Sequence, residues 1–151
     1  MYKRQVDILC ISLDGNCFDA AWTAVLAALN NTSLPKAWWD PDREMVFCSP
    51  LASDASRLTL KSLPIPATFA VFSTASPLKR REEAEDWVLA DPDAFEEDVC
   101  RESVTVVVDG DSKIVSVEKM GGTVVGIEAM RRCVELAQGR WKECTGLVGG
   151  P

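Results

Sequence analysis

The chain has 151 residues, 47% hydrophobic and 26% charged, with a net charge of -7. That length suits one domain with a real core, since a chain of this size buries roughly 70% of its unfolded surface. The negative balance excludes nucleic-acid binding through the whole surface and leaves room only for a local basic track, and the absence of histidine excludes Ser-His and Cys-His nucleophile pairs, histidine bases and the commonest zinc ligand.

In chain order, Val6 to Leu13 is rich in Val, Ile, Leu and Cys and ends in Asp14-Gly15-Asn16, which predicts a buried strand followed by a turn. Cys17 to Leu29 carries five alanines and the apolar residues Phe18, Trp22, Val25, Leu26 and Leu29, which predicts a helix able to lie close to a sheet. The segment Asn30 to Pro35 stops it, and Asn30-Asn31-Thr32 matches a glycosylation acceptor only by chance. Short strands are expected over Ala37 to Trp39 and Met45 to Cys48, around the turn-forming Asp40-Pro41-Asp42. Arg57 to Leu60 alternates polar and apolar residues, and Pro64 and Pro66 interrupt the chain before a buried strand, Thr68 to Phe72. Ser73 to Asp86 is polar and charged, a surface loop.

Trp87 to Leu89, Ser103 to Val108 and Ile114 to Glu118 are further strands, the last two forming a hairpin through Asp109-Gly110-Asp111. From Gly126, apolar residues recur at helical spacing: Ile127, Met130, Val134, Ala137, Trp141 and Cys144. This predicts an amphipathic helix of about 19 residues, weakened at Gly139. The order gives an α+β fold, a mostly antiparallel sheet covered by helices. The six cysteines, at 10, 17, 48, 100, 133 and 144, include no Cys-x-x-Cys pair and read as buried reduced thiols of an intracellular protein. No apolar run approaches the ~20 residues of a membrane span, so no membrane is expected.

Three features offer chemistry. Asp14-Gly15-Asn16 joins a strand to a helix, where backbone N–H groups often hold phosphate. It has one glycine and no cation, and Asp14 and Asp19 flank it with negative charge, so the residues favour a structural turn. Asp91, Asp93, Glu96, Glu97 and Asp98 form an acidic cluster. It offers oxygen ligands for Mg²⁺, or is a solvated loop after a strand. Gly121-Gly122 lacks the Lys and Ser/Thr of a phosphate loop and reads as a flexible connection. Lys79-Arg80-Arg81, answered by Glu82 and Glu83, reads as a solvated face.

Taken together, "LDGNCFDAAWTAVLAALNNTSLP", "LPIPATFAVF", "WVLADPDAFEED", "SVTVVVD" and "KMGGTVVG" before a closing amphipathic helix resemble the RNase PH-type ring subunits of the eukaryotic RNA exosome. The resemblance spans about residues 6 to 148. It implies the C-terminal part of an RNase PH-like domain. Trp38-Trp39 and "WVLADPDAFEE" favour one ring paralogue over its sister subunits. In phosphorolytic members the turn reads Gly-Gly-Thr-Arg and its arginine grips the attacking phosphate. The resemblance places that arginine's position at Phe18 and the threonine's at Cys17. A phenylalanine supplies neither the charge nor the paired donors. Carboxylates that assist catalysis in active members correspond only roughly to Asp91, Glu96 and Glu97, at a different spacing.

The resemblance therefore implies a non-catalytic ring subunit supporting 3′-to-5′ RNA processing and decay, including rRNA processing and mRNA turnover. It implies no catalytic, cofactor-binding or metal residues and no cofactor. It also implies a hetero-oligomer with other ring subunits and cap subunits, single-stranded RNA in the assembled channel, and a place in nucleus, nucleolus and cytoplasm. The alternatives are an active phosphorolytic 3′-to-5′ exoribonuclease or a sister ring subunit. Residues 1–5, Met-Tyr-Lys-Arg-Gln, match the translated end of a sequencing adapter. They are expected to be an artefact, with the rest of the family's fold lying upstream.

Overall fold

A computed structural model describes residues 5–74, 85–122 and 124–148. Its centre is a four-stranded antiparallel sheet in the order β6-β5-β7-β8, where β5 is Ile65–Ser73, β6 Asp86–Ala90, β7 Glu102–Asp109 and β8 Lys113–Met120. Valine-rich alternation explains β7: Val104, Val106 and Val108 are fully buried on one face, while Ser103 and Thr105 occupy the other. A short 3-10 turn, Gly110–Ser112, closes the β7–β8 hairpin where Asp109-Gly110-Asp111 predicted one.

The closing helix, α3 (Ile127–Val148), covers the valine face. Ala67, Phe69, Val71, Val104, Val106 and Val108 pack there with Cys133 and Ala137, flanked by Met130, Val134, Leu136 and Trp141. The buried line of α3 is Ala129, Cys133 and Ala137, a row of small residues at four-residue spacing that lets the helix approach the sheet closely. The face expected from the large apolar residues is therefore rotated: Ile127 is 69% exposed, whereas Met130, Val134 and Trp141 flank the seam. Gly139 is exposed, with open space where a Cβ would stand.

The first helix, α1 (Cys17–Asn30), lies where expected and packs against β5. Two small antiparallel pairs follow it. One joins β1 (Ser33–Leu34) to β4 (Ser56–Arg57), and the other is the hairpin of β2 (Ala37–Asp40) and β3 (Met45–Cys48). Trp38 stacks on Phe47 across that hairpin at 6.4 Å, with the Arg43 guanidinium 5.5 Å from the Phe47 ring centre.

Several expectations need correction. Val6 to Leu13 forms no strand: the segment has no regular structure, and Ile11 is 93% exposed. Its composition suits a strand, but no described strand pairs with it, and an unpaired strand has no ladder to hold it. The apolar face of α1 needs no correction, being expected only to be able to approach a sheet, and it is partly covered. Leu26 is buried, but Phe18 and Trp22 are 51% and 37% exposed, their rings 5.8 Å apart.

Pro66 does not interrupt the chain before a strand; it lies within β5, opposite Val107. β6 pairs only with Phe69–Ser73, so one side of β5 is free at the proline, a position where a missing N–H is tolerated. Of the alternating stretch Arg57 to Leu60, only Arg57 lies in a strand, β4. The thiols are not uniformly buried: Cys133 is buried and Cys100 and Cys144 half-buried, but Cys10, Cys17 and Cys48 are exposed, being on the unpaired segment, the start of α1 and the outer hairpin. The basic run Lys79-Arg80-Arg81 and most of the loop around it lie outside the described residues. No helix among the described residues is long and apolar enough to cross a membrane.

Candidate functional site

The turn Asp14-Gly15-Asn16 is built by backbone conformations that few residues adopt. Gly15 has φ +85°, and Asn16 caps α1 from the left-handed region at φ +43°. A Cβ on Gly15 would run into the backbone of Pro92, Asp93 and Ala94, so only glycine allows this approach. The opposing wall is α2 (Ala94–Val99), a correction to the solvated loop expected from the acidic cluster. Asp93 accepts from the Glu96 N–H at 2.8 Å, and Glu96 accepts from the Asp93 N–H at 2.9 Å. This reciprocal capping box explains why carboxylates that would repel one another in a loop instead start a helix.

The cluster is then spent on the turn. Glu97 accepts the Asn16 N–H at 2.8 Å, and Asp91 accepts from Asn16 Nδ2 at 2.6 Å. A helix start attracts anions because its N–H groups lack partners; here a carboxylate of the same chain already takes one of them. Asp98 makes no part of this network, and no described group of His, Cys, Asp and Glu is arranged to hold a metal ion.

Asp19, one turn into α1, is 1% exposed and joins three elements. It accepts from Thr68 N–H at 2.9 Å, Thr68 Oγ1 at 2.8 Å and Asn16 Nδ2 at 3.0 Å, and pairs with Arg140 of α3 at 3.1 Å. Thr68 lies just beyond the last β5 residue that β6 covers. Asp19 thus continues the ladder with a side chain where the neighbouring strand ends, and Trp22 Nε1 does the same by donating to Pro64 O at 2.7 Å. A buried carboxylate needs this many donors to offset its lost hydration. Asn16 Oδ1 is buried with no hydrogen-bond partner among the described residues.

Beside the turn, on the sheet face away from α3, lies a cleft of about 420 Å³ bounded by Phe18, Thr68, Pro92, Glu97, Arg101, Glu102, Thr105, Glu118 and Gly121. Phe18, at the place the resemblance gives the phosphate-gripping arginine, presents a half-exposed ring to it. Arg101, just before β7, also lines the cleft, together with Glu97, Glu102 and Glu118. Lys119 donates to the buried Glu102 at 2.5 Å and to Gly121 O at 3.0 Å. Gly121 is no flexible link: its φ is +109°, and a Cβ there would meet the Arg101 carbonyl and the Glu102 carboxylate. Of the roughly matched carboxylates, Asp91 and Glu97 meet at Asn16, while Glu96 serves the α2 cap.

The Asp19–Thr68–Arg140 junction was not legible in the sequence. Its only signal was an acidic residue at the third position of a helix, which the helix dipole explains equally well.

Residues 62–140, just over half of the chain, match the 3′ exoribonuclease family, domain 2. The chain is 35% identical over 136 residues to the exosome complex component rrp43 of Schizosaccharomyces pombe, covering 89% of this chain and 45% of that protein. The paralogue favoured by Trp38-Trp39 and "WVLADPDAFEE", the ribosomal-RNA-processing protein 43 type, is that one. Exosome complex component Rrp42 of Thermococcus gammatolerans is 26% identical over 87% of this chain and 43% of its own length. The chain thus spans about half the length of the curated relatives it matches. A solved archaeal exosome core has the same fold, with a TM-score of 0.65 at 21% identity over 93% of this chain and 47% of that one. By the match of its central strands and α3, the chain belongs to the 3′ exoribonuclease family, as an RNase PH-like domain 2.

Proposed function

We propose that residues 6–148 form the C-terminal part of an RNase PH-like subunit that serves the exosome core ring structurally, without catalysis of its own. The observation that carries this reading is the filled turn. The Asn16 N–H is held by Glu97 at 2.8 Å, and Phe18 stands beside it. An incoming phosphate would meet Asp14, Asp91 and Glu97, and Arg140, which also lines the turn, is already paired with the buried Asp19, so like charge opposes binding.

The subunit supports 3′-to-5′ RNA processing and decay, rRNA processing and mRNA turnover among them, by holding neighbours in place. Its partners are other RNase PH-like ring subunits and cap subunits, and single-stranded RNA in the assembled channel; it needs no cofactor and no membrane. The exosome names of the relatives support this reading. The exposed hairpin β2–β3 and the outer edge of β8 supply contact surface. Nucleus, nucleolus and cytoplasm are the places where such an assembly would act.

A second reading, an active phosphorolytic exoribonuclease, draws on Arg101 in the cleft. The test is release of nucleoside diphosphates from a short RNA in phosphate and Mg²⁺, with this subunit in an assembly whose other subunits are inactive. No release is expected. Release that disappears in the Asp91→Asn and Glu97→Gln variants would overturn the proposal.

A further inference from the structure

We propose that the β2–β3 hairpin is a wedge that enters an apolar groove on another protein chain, with lysine or arginine of that partner facing its tip. Trp38 stands opposite Phe47 on one face of the hairpin, and Trp39 opposite Val46 on the other. The two indoles are almost equally open, at 49% and 57%, and Met45 and Val46 are exposed as well. A hairpin lying on its own domain buries one face and keeps the other polar. Here "AWW" and "MVFC" are unbroken apolar runs, the pattern of strands covered on both sides. The described residues cover neither face, so the cover must come from outside the chain.

The residue types fit protein better than nucleic acid. Trp, Phe, Met and Arg are enriched in protein interfaces, and Lys, Asp and Glu are depleted from their centres. The strands supply Trp38, Trp39, Met45 and Phe47, and the Arg43 guanidinium folds back over the Phe47 ring. The carboxylates gather at the tip instead. Asp40 is occupied there, its Oδ1 accepting the Asp42 N–H at 2.9 Å and the Arg43 N–H at 3.3 Å. Asp42 and Glu44 are exposed and in no ion pair among the described residues. This acidic end repels RNA phosphates, and it repels a second copy of a chain whose net charge is -7. It complements cations on a different chain. That the partner is a neighbouring RNase PH-like subunit rests on the ring role proposed above; the two-sided contact rests on the hairpin alone.

The test co-expresses the whole chain with the other RNase PH-like subunits of its source organism and labels the purified assembly with hydroxyl radicals. Oxidation of each tryptophan is then read by mass spectrometry. Trp38 and Trp39 should both lose most of their labelling on assembly. Trp38→Ala and Trp39→Ala should each weaken binding to the neighbour by about 30-fold, with the circular dichroism spectrum unchanged because the hairpin lies outside the core. Joint Asp42→Lys and Glu44→Lys replacement should slow association and remove its decline between about 0.05 and 0.5 M salt. An assembly that leaves either indole labelled as in the free chain would overturn the wedge while the ring role stands. Protection of both indoles by a second copy, or by a single-stranded RNA oligomer added to the chain alone, would also overturn it. Failure to assemble with any of these subunits would overturn the wedge and the ring role together.

Discussion

Two runs of similar composition end in opposite states. "TFAVF" and "VTVVV" lie in the middle of a sheet under α3, with Phe69, Val104 and Val106 essentially inaccessible. "VDILCIS" is as apolar, yet Val6, Ile8, Leu9 and Ile11 face solvent. The difference is pairing: β5 has neighbours on both sides, and the N-terminal run has none among the described residues. Apolar sequence supplies the tendency to be buried, and strand partners decide whether it happens.

The largest effect that should separate the two regions is truncation of Phe69. Phe69→Ala should cost about 3–5 kcal/mol in chemical denaturation, because it removes a fully buried ring under α3. Ile11→Ala should stay within about 0.5 kcal/mol. Equal losses at the two sites would show that the N-terminal run is packed after all.

Asp19→Ala should cost about 3 kcal/mol, since it leaves Thr68 N–H and Arg140 without the acceptor they share. A change under about 0.5 kcal/mol would mean that water replaces the carboxylate at the open edge of β5. Trp141→Ala should cost less, about 2 kcal/mol, because the indole is only half-buried and its Nε1 donates to Leu63 O at 3.0 Å.

A last effect, confined to alkaline conditions, is a dependence on pH. Burial pushes the Cys133 thiol up from 9.0 to about 11. The folded state thus favours the neutral thiol; its contribution is complete below pH 9 and is lost as pH rises toward about 11. Up to about 2.7 kcal/mol should disappear over that window, and Cys133→Ala should flatten the curve. A slope unchanged in the variant would assign the alkaline loss to other groups.

What the sequence showed and what it hid follow the range of the interactions. The α1 helix, the Ala37–Cys48 hairpin and the Ser103–Glu118 hairpin were legible because neighbouring residues define them. The α3 helix was legible as a helix but not in its rotation, because the seam is made by Ala129, Cys133 and Ala137 rather than by the larger Ile127. The capping box of α2 was written in Asp93 and Glu96, but the density of acidic residues hid it. The failed strand at Val6–Leu13 and the Asp19–Arg140 pair both depend on distant segments, which no local pattern reports. Phe18 stands beside the turn by its place in the chain, and the occupation of that turn by Glu97 could be seen only in three dimensions.

That occupied turn is the centre of the account, and phosphate binding tests it most directly. Titration of inorganic phosphate into the chain, followed by ³¹P NMR line width and by amide shifts at Asn16, Cys17 and Phe18, should show only weak, non-saturating changes that Arg101→Ala leaves in place. Saturable binding that shifts the Asn16 amide and vanishes in Arg101→Ala would contradict it, because it would mean that phosphate displaces Glu97 from the start of α1.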